Sequence, residues 1–107
     1  MEELPTDLNK AGLEAHVAHG NYVLMFSGEA CGDCKAIKPH MPAIIDEFKQ
    51  FKFIHVERDP NIALFQELDV FGIPSFLIYK DGKEAGRFVS RDRKTKQEVE
   101  NFIKKYI

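Results

Sequence analysis

The stretch Ala30-Cys31-Gly32-Asp33-Cys34-Lys35 stands between two segments of different character. The apolar run Tyr22-Val23-Leu24-Met25-Phe26 precedes it, and a helical pattern over residues 35–48 follows it. Cys31 and Cys34 are the only cysteines in the chain. A Cys-x-x-Cys pair where a strand hands over to a helix is a redox signal in a small α/β domain. The first cysteine falls at a helix N-terminus, where unpaired backbone N–H groups and the helix dipole favour an anion. The thiolate is the reactive form in disulfide exchange, and the thiol is a poor nucleophile. Cys34 falls in the first helical turn, near enough to close a disulfide with Cys31.

The bulk properties narrow the setting. A chain of 107 residues is expected to form one domain, residues 1–107, with a single core and no need of staples. The apolar fraction of 44% is ordinary, and nine Phe point to firm packing. The formal net charge of -2, from 15 basic and 17 acidic residues, gives no electrostatic case for nucleic acid or an anionic membrane as partner. No apolar run reaches membrane-spanning length. Residues 1–7 are acidic and carry no apolar core of a signal peptide, so the reducing cytosol is the expected compartment. A lone cysteine pair there is catalytic or metal-binding more often than structural.

Local patterns predict the remaining elements. Thr6 or Asp7 can cap a first helix that runs to about His19 and stops at Gly20, with Leu8, Ala11, Ala15 and Ala18 as its apolar stripe. His16 and His19 read as cations placed near its C-terminus. Residues 21–27 read as a strand buried on both faces, because five apolar residues follow one another without alternation. A helix over about 34–49 presents Ile37, Met41, Ile44, Ile45 and Phe48 to the core, and Pro39 should kink it. Residues 52–57 form a strand with Phe53, His55 and Glu57 on one face and Ile54 and Val56 on the other. Asp59-Pro60-Asn61 opens a short helix over 62–68, and Gly72-Ile73-Pro74 is a loop. Strands over 75–80 and 83–89 flank the hairpin signal Asp81-Gly82. Thr95 and Glu98 fit a capping box ahead of Val99, Phe102, Ile103 and Tyr106. The order α-β-α-β-α-β-β-α gives an α/β fold: a mixed central sheet with helices on both faces, its first two strands parallel and its last two antiparallel.

Taken together, these residues resemble the thioredoxin family over roughly 20–107, and more loosely over the first helix. The match rests on Cys31-Gly32-Asp33-Cys34-Lys35 after a strand, Pro39 in the following helix, Asp59-Pro60-Asn61, Gly72-Ile73-Pro74-Ser75, the hairpin at Tyr79-Lys80-Asp81-Gly82 and the amphipathic last helix. The resemblance implies the thioredoxin fold, a cis peptide bond before Pro74, and contact of that loop with the cysteine pair. X-Pro is the one kind of bond where cis is cheap, at ~0.5–1 kcal/mol. The backbone of Ile73 would then be free to pair with an extended substrate segment. The chain departs from the family pattern at several places. Ala30 and Ser27 stand where aromatic residues are usual, and Asp33 replaces the usual Pro. Met25 matches the buried Asp, His55 the Lys often paired with it, and Ser90 a usual Gly. The redox pair is kept, while the docking surface and proton relay are rebuilt.

The implied chemistry is thiol–disulfide exchange that needs no prosthetic group and no metal. Cys31 attacks a substrate disulfide, and Cys34 resolves the mixed disulfide. Gly32, Asp33, Ile73 and Pro74 are the candidate substrate-binding residues. Cys31 is expected to ionise within ~3.5–7.5, a range set by thioredoxin and its relatives themselves and not by this chain. His55 is a candidate proton acceptor for Cys34, with Glu57 able to assist; its blander reading is a core or rim histidine. Lys35 either favours the thiolate mildly or is a solvated helix lysine. Asp33 should repel the Cys31 thiolate unless it points into solvent. The expected partners are disulfide-containing proteins and an upstream disulfide reductase or low-molecular-weight thiol, met by a monomer. Two other readings stay open. The cysteines are half of a zinc or iron–sulfur site, with His40 the nearest further ligand type. Or the chain is a non-catalytic interaction module on the same fold.

Overall fold

The structure, a computed structural model, describes residues 1–107. Its centre is β2 (Asn21–Ser27), in which every residue after Asn21 is buried. The sheet also contains β1 (Glu2–Glu3), β3 (Lys52–Glu57), β4 (Ser75–Lys80) and β5 (Lys83–Phe88), in the order β1-β3-β2-β4-β5. β2 pairs in parallel with β3 and antiparallel with β4, and β4 and β5 form the antiparallel hairpin. Asp81 and Gly82 both take positive φ at its turn, +50° and +81°, which is what a two-residue hairpin of this hand requires.

Side chains alternate across β2 and divide the core into two layers. Tyr22, Leu24 and Phe26 face a layer with Leu64, Phe65 and Leu68. These come from α4 (Ile62–Glu67) and the residue that ends it, after the single turn Asp59–Asn61. Val23 and Met25 face the opposite layer, with Ile37, Met41, Ile44, Phe48, Val99, Phe102 and Ile103. The last three belong to α5 (Lys96–Lys104), whose N-terminus carries the Thr95–Glu98 capping box. Burial of each such large apolar side chain stabilises the fold by ~1.5–3 kcal/mol.

The helix after the cysteines is divided into three pieces. It consists of α2 (Gly32–Ile37), a tighter turn Lys38–His40, and α3 (Met41–Glu47). Pro39 and Pro42 each lack an N–H and occupy the first positions of the two later pieces, where that donor is not needed.

Two N-terminal expectations need correction. The first helix, α1 (Lys10–His16), is shorter than predicted, and its cap is Asn9, whose side chain accepts from the Gly12 N–H at 2.8 Å. Asp7 instead turns the chain with φ +69°. The buried stripe is Leu13 and Val17, both fully buried, while Ala11 and Ala15 face solvent. The larger side chains win because they remove more apolar area from water. The second correction is β1 itself, which pairs in parallel with β3 and sets Glu3 opposite His55. Two residues are too few to show any periodicity. His16 does sit in the last turn of α1, and its Nε2 lies 2.9 Å from Glu2 of β1.

Candidate active site

β2 ends under the N-terminus of α2, and this junction carries both cysteines. Cys31 is the N-cap of α2, with extended backbone, and the Cys34 N–H points at its sulfur at 3.1 Å. That donor is one of the orphan N–H groups of a first helical turn, and it is available to a sulfur anion. Cys31 is half-buried and Cys34 is buried, 4% exposed. The two are joined as a disulfide with their Cα atoms 5.2 Å apart. The outer cysteine can therefore meet a protein partner, and the inner one is shielded from such a partner.

The loop before β4 closes the other side. The Ile73–Pro74 bond is cis, and the Ile73 carbonyl oxygen lies 3.9 Å from the Cys31 sulfur. Neither the N–H nor the C=O of Ile73 bonds to another backbone group. Pro74 is buried and Ile73 half-buried, while Gly32 is exposed with nothing near its α-carbon side. The segment after β5 packs directly onto this loop: a Cβ on Gly72 would collide with the backbone of Ser90 and Arg91. Lys94 holds that segment in shape. It is 2% exposed, and its Nζ donates to the carbonyls of Ser90 at 2.7 Å and Asp92 at 2.8 Å. Burial pushes its ammonium below the usual lysine range.

Asp33 does not point free into solvent. Arg93 Nε donates to its Oδ1 at 3.1 Å. The sequence pointed to Ser90 in this segment but not to Arg93, because the pair spans 60 residues. Lys35 and His40 are exposed, and no group of three or more His, Cys, Asp or Glu side chains is arranged to hold a metal ion. The metal reading therefore gains no support.

His55 lies on β3 beside Met25 of β2, on the face that α2 covers. It makes no bond to Cys34. Its Nε2 lies 2.5 Å from Ser27 Oγ, and its Nδ1 lies 2.7 Å and 2.8 Å from the two Glu3 oxygens. Cys34, Met25, Ser27, His55 and Glu3 line one cavity of about 540 Å³, which Glu57 also reaches. The sequence placed His55 and Glu57 on the correct face, but it gave no sign of Glu3. Ser27 could have been found from strand alternation, two residues on from Met25.

A mixed five-stranded sheet, a Cys-x-x-Cys disulfide at a strand–helix junction and a cis-proline loop against it define a thiol–disulfide oxidoreductase. The family model described as Thioredoxin matches residues 5–105. The chain is 34% identical over 74 residues to Thioredoxin X, chloroplastic, of Arabidopsis thaliana, covering 68% of this chain and 41% of that protein. It is 33% identical to thioredoxin of Gallus gallus over 79% of this chain and 78% of that one. Among solved structures, Fasciola hepatica thioredoxin superposes with a TM-score of 0.81 at 27% identity, over 100% of both chains. The chain belongs to the thioredoxin family.

Proposed function

We propose that the chain is a cycling dithiol carrier that reduces protein disulfides, with Cys31 as nucleophile and Cys34 as resolving thiol. The observation that carries this is the difference in access between two sulfurs of one disulfide, at the N-cap of α2. In the reduced protein the Cys31 thiolate attacks a substrate disulfide. One new S–S bond forms and one substrate thiolate leaves. Cys34, as thiolate, then attacks the Cys31 sulfur, and the second substrate thiolate departs with the electron pair. Two electrons have passed to substrate, and the Cys31–Cys34 bond is restored. The unpaired N–H and C=O of Ile73 suit pairing with an extended segment flanking the substrate cysteine, alongside Pro74, Gly32 and Asp33.

Return to the dithiol requires an upstream disulfide reductase or a low-molecular-weight thiol. We place the protein in the reducing cytosol, where a dithiol can be regenerated, and as a monomer. An insulin-type disulfide reduction assay tests the function. Turnover with dithiothreitol that disappears in Cys31→Ser is expected. No turnover with any reductant, or an undiminished rate in Cys31→Ser, would refute it.

A further inference from the structure

Met25 stands near the end of β2 where a buried carboxylate could have served Cys34, yet the cavity that Cys34 lines also holds the polar side chains of Ser27, His55, Glu3 and Glu57. Its polar groups are wired together. A carboxylate can only accept, so the His55 Nδ1 that touches Glu3 must carry the hydrogen. A neutral imidazole then has an acceptor at Nε2, and the Ser27 hydroxyl must donate to it. This direction leaves the lone pairs of Ser27 Oγ free to accept from a further donor. Cys34 lines the same cavity, and 540 Å³ has ample room for a water bridging its thiol to the hydroxyl.

We propose that Ser27, His55 and Glu3 form a proton relay that deprotonates Cys34 when the mixed disulfide is resolved. The inference rests on the dithiol function proposed above and adds residues to it. The Cys34 S–H gives its proton to Ser27 Oγ, directly or through water, and Ser27 passes its own proton to His55 Nε2. The Cys34 thiolate forms the bond to the Cys31 sulfur, the bond from Cys31 to the substrate breaks, and the substrate thiolate takes the electron pair. The imidazolium later returns its proton to that thiolate or to solvent. Glu3 is a positioning residue: it fixes the tautomer and offsets the imidazolium charge through a short charge-assisted bond. β1 exists in register to deliver it, since Glu3 pairs with His55 along the ladder. The other residues with titratable groups on the cavity wall are Met1 with its α-amino group, Lys35 and Lys38 from the helical side, Glu29 from the loop before Cys31, and Glu57 from β3. Lys35, Lys38 and Glu29 are exposed.

The test isolates the resolving step. Reduced protein is mixed with an aromatic disulfide reagent, which places thionitrobenzoate on Cys31; its release reports the attack by Cys34. His55→Gln, which keeps hydrogen bonding without basicity, is expected to slow release by about 100-fold at neutral pH. Its rate should keep rising with pH into the region where a free thiol ionises, about 8.5, whereas the wild-type rate levels off at lower pH. Ser27→Ala should behave like His55→Gln. Glu3→Gln, a substitution of similar size at an exposed side chain, should slow release by about tenfold, with recovery in Glu3→Asp. The first labelling step, carried out by Cys31, is timed separately, so that each variant is judged by the ratio of release to labelling. Wild-type pH profiles in Glu3→Gln and His55→Gln would overturn the relay while leaving the dithiol function standing. A wild-type protein that takes the label and never releases it would overturn both.

Discussion

The charge beside the nucleophile gives the sharpest test of the electrostatics at this site. Asp33 lies in the first turn of α2, two residues from Cys31. At ~6 Å and an effective dielectric of ~40, between surface-pair and bulk-water values, two negative charges repel by ~1.4 kcal/mol, ~1 pKa unit. Arg93, which donates to the Asp33 carboxylate at 3.1 Å, attracts the same thiolate. At ~9 Å and the same dielectric that attraction is ~0.9 kcal/mol. The arginine side chain is 66% exposed and that of Asp33 37%, so solvent reduces both terms. Arg93→Gln is therefore expected to raise the Cys31 pKa by about half a unit, and Asp33→Asn to lower it by up to about one unit. The double variant should lie slightly below wild type. A stabler thiolate favours the reduced form at neutral pH. Asp33→Asn should thus make the reduction potential less negative by up to ~30 mV, and Arg93→Gln more negative by about half that. Thiolate absorbance against pH measures the first quantity, and equilibration with glutathione measures the second. Repeating the titration in ~1 M salt, where the Debye length is ~3 Å, should shrink every difference. An unchanged or lowered pKa in Arg93→Gln would refute the argument and leave the Asp33–Arg93 pair a role in partner choice alone.

Other regions give independent tests. Burial, with Glu84 and Glu14 nearby, pushes the Tyr79 phenol up to about 12. Between pH 10 and 12 the unfolded chain loses a proton that the folded chain keeps, so stability falls as pH rises through that window. The full loss is about 3 kcal/mol, and alkaline denaturation of Tyr79→Phe should lack that part of the slope; an identical slope would contradict it. Gly72→Ala forces a methyl group into the backbone of Ser90 and Arg91. It should cost at least ~2–3 kcal/mol in chemical denaturation and detach Arg93 from Asp33, so that the Cys31 pKa moves as in Arg93→Gln. Thr95→Ala removes the side chain that accepts from the Glu98 N–H at 3.1 Å, and about 1 kcal/mol of stability with it. A melting temperature equal to wild type would show the capping box to be dispensable.

Short-range rules were enough for most of the framework. β2 to β5, the Asp81-Gly82 turn, the Thr95 cap and the cysteine junction each announce themselves within a few residues, because alternation, turn chemistry and capping act over such distances. The first helix shows where that reasoning stops. Leu8-Ala11-Ala15-Ala18 and Leu13-Val17 both have helical spacing, and only the presence of the sheet chose the pair that removes more apolar surface from water. The cysteine pair and the cis-proline loop were legible from motif and resemblance. Their electrostatic and proton-handling partners were not. Arg93 reaches Asp33 across 60 residues, Glu3 reaches His55 across 52, and His55 reaches Ser27 across 28. None of these side chains has a local pattern that names its partner. Sheet register and the packing of the segment after β5 bring them within hydrogen-bond reach, and bonds of that kind form wherever the fold delivers a donor to an acceptor.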